Sequence, residues 1–494
     1  MAALWLLAGC ASLAPVDLPP EYTPPPAAAE TWDALSDIRE GDWYVLLNEG
    51  PDALDWRLRA IDSATESIDL QTFLWSLDTT GKLVFGHLLD AAERGVSVKL
   101  LVDDTFLLGE DQLLLEIASH PNIEYRVFNP YKRRSSGFAT RQALNLAEFH
   151  RLDHRMHNKA MVVDNRVAII GGRNIADEYF GLHGDVNFRD LEVIVGGPVV
   201  AEVSQSFDEY WNDRWSFPIE MLSHVDTRHT DLEDLAQVED VAAEVHVEQT
   251  HDARRDRWEA LVRHAHAGVS QLLVDEPPVE NPALESEAPV QVANALIDVF
   301  DSATREIVMV SAYLIPTPDL EGAVERAIDR GVRVRMLTNS IRSNNHLTAH
   351  SAYRNHIKSL IGHGAELHEV RIDASGRHTY MVEPVDEKDL ALHAKALIID
   401  DDRVFVGSAN LDPRSLRINT EMGFLIRSDA LNQELRAAVS PDFARTNAWE
   451  LQLDDNGDVI WISDDEVLTR QPAASTLQRI EDWLFAHLPL EDEL

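Results

Sequence analysis

A short pattern recurs in this chain at a fixed offset, so whatever fold it adopts has to be built twice. His157-Asn158-Lys159 leads, after four intervening residues, to Asp164; His393-Ala394-Lys395 leads to Asp400 in the same way, 236 positions on. Each copy is trailed by a glycine-led tetrapeptide ending in asparagine, Gly171-Gly172-Arg173-Asn174 and Gly407-Ser408-Ala409-Asn410, at the same offset. Among 20 histidines a single match carries little weight, but two matches in one register do not arise by chance. The duplication also runs upstream: Asp62-Ser63-Ala64-Thr65 returns as Asp301-Ser302-Ala303-Thr304, and Arg94-Gly95-Val96 as Arg330-Gly331-Val332.

Each copy reads as helix, strand, helix, strand, in the first copy over 54–64, 68–75, 83–94 and 96–103. Arg-Gly closes the helices, with glycine where a left-handed C′ residue belongs. This alternation predicts an α/β fold of two duplicated α/β/α sandwich domains. The 494 residues suit two domains of about 200 each plus connections. The domains are placed at 36–216 and 290–450, separated by an acidic stretch at 217–289 that is read as a connector or a membrane-facing insertion, carries no motif and is assigned no chemistry. A C-terminal extension, 451–494, holds an amphipathic helix whose Leu477, Ile480, Leu484 and Leu488 are expected to pack into the core; interfacial lipid contact is the lesser alternative, because the face lacks a basic flank.

Asp and Glu number 85 against 43 Lys and Arg, a net charge of −42. Such a surface repels a polyanion, with no run of Lys or Arg long enough to override it, so nucleic acid is not expected as a partner. The acidic skin is read as solvation. The single cysteine, Cys10, excludes an intramolecular disulfide and thiolate metal clusters. Leu7-Ala8-Gly9-Cys10, after an apolar stretch over 2–8, resembles the lipobox of bacterial lipoproteins, which makes Cys10 a lipidation candidate. The stretch 1–35 then reads as a lipoprotein-like signal with a Pro/Ala-rich tether.

Alternate side chains of a strand share a face, so His157 and Lys159 point one way, as do His393 and Lys395. A lysine offers three donors around a compact charge, which suits a phosphodiester oxygen. Asn174, Ser408 and Asn410 would add neutral hydrogen bonds to the phosphate. Imidazole attacks phosphorus when neutral and donates a proton when charged, so a pair of histidines can split the work. His157, Lys159, Asp164, His393, Lys395 and Asp400 form the catalytic set. Asp164 and Asp400 also open polar turns between apolar runs, which is a sufficient reason for their presence. A base needs an orienting acid on its far nitrogen. Asp190 and Glu421 each precede an apolar run and are the candidates. The lysines supply the positive charge, so neither a metal nor another cofactor is required.

The doubled His-x-Lys-x4-Asp with its trailing Gly-x-x-Asn, spanning nearly all of 52–426, resembles the phospholipase D superfamily. Arg155-Met156-His157-Asn158-Lys159, the run from Gly171 to Phe180, Asn410-Leu411-Asp412-Pro413-Arg414-Ser415 and Asn419-Thr420-Glu421-Met422-Gly423 look like bacterial cardiolipin synthases, especially the C-type branch. The resemblance implies one active site at the interface of two phospholipase D-type domains. It also implies phosphatidyl transfer through a phosphohistidine, with His157 as nucleophile and His393 as general acid and base. In the C-type branch the phosphatidyl group passes from phosphatidylethanolamine to phosphatidylglycerol, giving cardiolipin. The alternatives are a phospholipase D hydrolase releasing phosphatidic acid and, less in keeping with the charge, a nuclease of the same superfamily. The substrates are then phospholipids at a membrane surface, and the expected location is the bacterial cell envelope, with Cys10 as anchor.

Overall fold

The computed structural model of the chain describes residues 13–26, 29–134, 137–223, 232, 236, 250–277, 291–344 and 346–487. Cys10 and Leu488 lie outside the described residues.

The first half is built on β1 (Trp43–Leu47), β2 (Ser67–Thr72), β3 (Ser97–Asp103), β4 (Ile123–Phe128), β5 (Ala160–Val163), β6 (Val167–Gly171), β7 (Val186–Arg189), β8 (Glu192–Gly196), β9 (Ser216–Pro218) and β10 (His266–Ala267). The second follows with β11 (Val269–Val274), β12 (Glu306–Ser311), β13 (Arg333–Asn339), β14 (Glu366–Val370), β15 (Asp389–Leu392), β16 (Lys395–Ile399), β17 (Arg403–Gly407), β18 (Met422–Arg427), β19 (Ala448–Leu453), β20 (Val459–Ile462) and β21 (Val467–Leu468). They form two mixed sheets in the orders β10-β1-β8-β6-β5-β2-β3-β4-β9 and β11-β18-β17-β16-β12-β13-β14-β19-β20-β21, with β7 and β15 paired separately. In each, a parallel trio (β2-β3-β4, β12-β13-β14) meets an antiparallel hairpin that carries the motif (β5-β6, β16-β17).

These strands are apolar on both faces because both faces are covered. Along β5, Ala160 and Val162 enter a core shared by the two sheets, while Met161 and Val163 enter a core under the helices Gly50–Ser63 and Thr79–Glu93. In β16, Ala396 and Ile398 take the shared core, and Leu397 and Ile399 the core under the helices Gln291–Ser302 and Pro318–Asp329. The period of two in the strands therefore joins the halves through one continuous apolar layer. The residues of that junction are buried, and the ends of the hairpins converge there.

Three stretches differ from their sequence reading. Described residues of the N-terminal stretch are fastened to the first domain, not suspended as a spacer: Val16 N donates to Arg214 O at 2.9 Å, Thr23 Oγ1 to Asp69 at 2.8 Å, and Arg126 to Glu21 at 3.0 Å. The connector is structural as well as connecting. Its helix His251–His264 buries Trp258 edge-on between Trp32 and Trp56, and β10 and β11, one residue apart, complete the edges of different sheets. Past 450 the chain keeps extending the second sheet through β19, β20 and β21. The C-terminal helix, Thr476–Phe485, reverses the expected packing: Asp482 is buried, while Leu477, Ile480 and Leu484 face solvent. No helix among the described residues is long and apolar enough to cross a membrane.

Candidate active site

The motif histidines precede β5 and follow β15, and each is held by backbone bonds from the opposite half. His157 N donates to Thr420 O at 2.9 Å and Thr420 N to Arg155 O at 3.0 Å. His393 N and Ala394 N donate to Arg189 O at 2.9 and 3.0 Å, where β15 runs parallel to β7.

The side chains repeat this exchange. His157 Nδ1 lies 2.9 Å from both carboxylate oxygens of Glu421, and His393 Nδ1 lies 2.7 Å from Asp190 Oδ2. Each imidazole is thus oriented by an acid from the other domain, and all four groups are buried. Asp190 and Glu421 occupy equivalent places, immediately before Leu191-β8 and at the start of β18, but their surroundings differ. A Cβ at Gly172 would sit 2.2 Å from Asp190 Oδ1, so glycine is required there. The second half has Ser408 at that place, and its hydroxyl donates to Glu421.

Lys159 and Lys395 lie with their histidines, each ammonium donating to the preceding histidine carbonyl, Lys159 at 2.7 Å. Burial, with Lys395 beside it, brings Lys159 down to about 7 against the pull of Glu421. Lys395 comes down to about 8 through burial, against the pull of Asp190 and Glu421. Burial and the same lysines push His157 well below its usual range, and burial with Lys395 takes His393 to about 3. Both imidazoles are therefore neutral near physiological pH. Burial raises Glu421 to about 8 despite Lys159 and Ser408. Burial alone would also raise Asp190, but His393, Lys395 and Arg173 outweigh it and hold the carboxyl well below the usual range.

Aromatic rings wall the two histidines. Phe73 meets His157 edge-on at 5.0 Å, and Tyr179 and Phe188 flank His393 at 5.0 and 5.3 Å. The burial of both imidazoles lowers the local dielectric and strengthens the electrostatics of the site.

The remaining predicted residues divide. Asn410 is buried, and its carboxamide oxygen has no partner among the described residues; that oxygen can accept a bond from a ligand hydroxyl but not from a phosphate oxygen. Asn174 instead spends its side chain inside the protein, accepting from Leu74 N at 3.3 Å and donating to Tyr179 OH at 2.8 Å. Ser408, engaged with Glu421, orients that acid and is not a free phosphate ligand in this geometry. Asp164 and Asp400 are corrected outright: they stand at the far ends of β5 and β16 from the histidines. The Asp164 carboxylate accepts from Thr65, Glu66 and Ser67 backbone N–H groups at 2.7–2.9 Å and from Trp32 Nε1 at 2.7 Å. Asp400 clips Thr304, Arg305 and Glu306 in the same way. Both have left-handed backbones, with φ of 51°, at hairpin turns.

Sequence reasoning also missed residues. Phe188 has the parity of Asp190, two positions on, and could have been found on that ground. Asp275, at the end of the connector, gave no signal because it lies outside the repeat. Its Oδ2 accepts from Glu421 N at 3.0 Å, its own N–H donates to Glu421 O at 3.0 Å, and Tyr210 OH donates to its carbonyl at 2.6 Å.

Residues 58–211 and 296–442 match the family model described as the PLD-like domain of cardiolipin synthase. The chain is 33% identical over 463 residues to cardiolipin synthase C of Escherichia coli K12, covering 90% of this chain and 94% of that protein. It is 27% identical over 402 residues to cardiolipin synthase B of the same strain, covering 81% and 79%. The crystal structure of phosphatidylserine synthase from Haemophilus influenzae Rd KW20 shares the fold, with a TM-score of 0.54 at 13% identity over 86% of this chain and 92% of that one. The two matched segments each contain one motif histidine and the orienting acid of the other, and on these grounds the chain belongs to the cardiolipin synthase family of phospholipase D-like proteins.

Proposed function

We propose that the protein is a phosphatidyltransferase that forms cardiolipin from phosphatidylglycerol and a phospholipid donor through a phosphohistidine. The observation that carries this reading is the crossed pairing His157–Glu421 and His393–Asp190 around two buried lysines, in a chain aligned nearly end to end with cardiolipin synthase C.

The donor phosphodiester binds as an anion between Lys159 and Lys395. Its charge offsets the lysine charge that depresses His393, so His393 gains proton affinity when substrate enters. His157 Nε2 attacks phosphorus while its Nδ1–H faces Glu421. The bond from phosphorus to the headgroup oxygen breaks, and that oxygen takes a proton from His393, whose charge Asp190 supports. The phosphatidyl group then rests on His157. In the second half a terminal hydroxyl of phosphatidylglycerol loses its proton to His393 and attacks phosphorus, releasing His157 and restoring charged His393. Water in place of that hydroxyl would give phosphatidic acid. The walls of Phe73, Tyr179 and Phe188 favour a lipid alcohol over water. The working location is the cell envelope, at the surface of a phospholipid bilayer.

The test is incubation of the protein with labelled phosphatidylethanolamine, with and without phosphatidylglycerol. Labelled cardiolipin is expected only with both lipids. Phosphatidic acid as the sole product would replace the transferase with a hydrolase.

A further inference from the structure

Between β4 and β5 the chain packs inside out. The helices Phe138–Leu144 and Phe149–Asp153, with the turn Leu146–Glu148 between them, bury Arg141, Asn145 and Glu148 and expose Phe138, Leu144, Leu146 and Phe149, Leu146 at 67%. The inversion is held by polar bonds beneath. Arg141 donates to Leu107 O at 3.0 Å and to Asp104 O at 2.7 Å, and its guanidinium lies 4.4 Å over Tyr131. Asn145 donates to Arg133 O and Arg141 O at 3.0 and 2.8 Å and accepts from Arg133 N. Holding four large apolar side chains in water costs free energy that a bilayer would return.

Two features tie this patch to lipid. It is continuous with the site through a chain of ring contacts: Phe138 stacks on Phe106 at 6.5 Å, Phe106 meets Phe73 edge-on at 5.5 Å, and Phe73 meets His157 edge-on. It is also locally basic in a chain of net charge −42: Lys132 and Arg133, both exposed, border it, which complements an anionic lipid surface.

The same inversion recurs in the second half. The helix Thr476–Phe485 buries Asp482 against Ser351 and Arg354 at 3.0 and 2.9 Å, turning Leu477, Ile480, Trp483 and Leu484 outward. Gln478 fastens it to Ile341 O at 3.0 Å, just past the end of β13. The last residue of that strand, Asn339, holds the carbonyl of Leu392 beside His393.

We propose that residues 138–149, with the outer face of the helix Thr476–Phe485, form the surface by which the protein seats on a phospholipid bilayer, the ring path from Phe138 to Phe73 guiding acyl chains toward His157. The proposal rests on the phosphatidyltransferase reading for its substrate but is tested by binding. The full chain is sedimented with vesicles of phosphatidylglycerol and phosphatidylethanolamine. Leu146→Glu with Phe149→Glu, and separately Ile480→Glu with Leu484→Glu, should each lower vesicle partitioning by about tenfold or more. The ratio of activity on vesicles to activity on a short-chain phospholipid below its micelle concentration should fall in step. Unchanged partitioning overturns the proposal. So does a lipid-free dimer of the wild type that these variants convert to monomer, since the faces would then join copies of the chain. Where a variant fails to fold, a fluorophore sensitive to polarity, placed at Leu146→Cys in a Cys10→Ser background, decides: a blue shift on adding vesicles is expected, and its absence is fatal. Vesicle binding that falls in the variants of a protein with no phospholipid turnover would keep the surface and remove the function.

Discussion

Replacing Asp190 by Asn tests the crossed pairing directly. The carboxylate accepts from His393 Nδ1 at 2.7 Å with both groups buried, and Asp190 Oδ1 also accepts from Leu191 N at 2.7 Å. Asn keeps the shape and the Leu191 bond, so the fold is preserved. It removes a charge-assisted hydrogen bond of roughly 1.5–3 kcal/mol, which is about 10- to 150-fold in rate. Its amide also donates where the carboxylate accepted, forcing the His393 proton onto the wrong nitrogen and carrying the loss toward about 10⁴-fold. The assay is the burst of headgroup release in a single turnover, run with a natural donor and with a phosphatidyl p-nitrophenyl ester, whose leaving group needs no acid. If Asp190 acts through His393, Asp190→Asn and His393→Ala both recover their burst with the activated donor, while Glu421→Gln and His157→Ala do not. If the nucleophile were His393 the two groups would exchange, but Asp190 would still sort with His393. Asp190→Asn sorting with His157→Ala refutes the pairing.

Other consequences are as direct. In the free protein, attack by His157 requires ionised Glu421, raised to about 8, and binding requires charged Lys159 and Lys395, lowered to about 7 and 8. The plot of kcat/KM against pH should therefore be a narrow bell with its top between these values, and Glu421→Gln should remove the acidic limb. Inorganic phosphate should raise the thermal unfolding midpoint strongly at pH 6 and weakly at pH 9, because the lysines lose their protons as pH rises through their lowered values; the apparent affinity should drop by about tenfold or more. Asp164→Ala removes an acceptor of several buried N–H groups and should cost about 3–5 kcal/mol in denaturant unfolding. The half-exposed clip of Asp400 should cost less, and neither variant should lose turnover per folded molecule.

The repeat was legible because its residues recur at one offset, although His157, Lys159 and His393 themselves lie just outside the strands that were expected to carry them. Asp190 and Glu421 were legible because each opens an apolar run. The exchange between halves was not, since sequence order places Asp190 near His157 and Glu421 near His393, and only the parallel pairing of β7 with β15 and of Met156 with Thr420 crosses them. Asp164 and Asp400 show the converse: their place in the motif suggested chemistry, while the polar turns gave the reading that fits their left-handed backbones, and the N–H groups their carboxylates clip come from the approach to the neighbouring strand and were not legible. Asp275 lay in a stretch without a repeat and gave nothing to compare. The C-terminal helix misled because an apolar stripe specifies a face without specifying what covers it, and Asp482 took the inner position through Ser351 and Arg354.

The crossing has a consequence for how two similar halves divide one reaction. Neither half contains an oriented histidine by itself, so both tautomers depend on the apolar layer between the sheets, where Val162, Ile170, Val404 and Val406 pack with low exposure. A pair of identical halves would give both imidazoles the same proton affinity and no basis for one to attack while the other protonates. Here Gly172 admits the short carboxylate of Asp190 beside His393, Lys395 and Arg173, which keep it ionised, whereas burial of the longer Glu421 favours its proton even though Ser408 donates to it. Exchanging these environments, with Gly172→Ser and Ser408→Gly in one chain, should therefore disturb the division of labour more than either histidine's position. The first change drives a side chain into Asp190 and the second frees Glu421. A double variant that retained the wild-type pH profile would show that the asymmetry of the acids is incidental to the reaction.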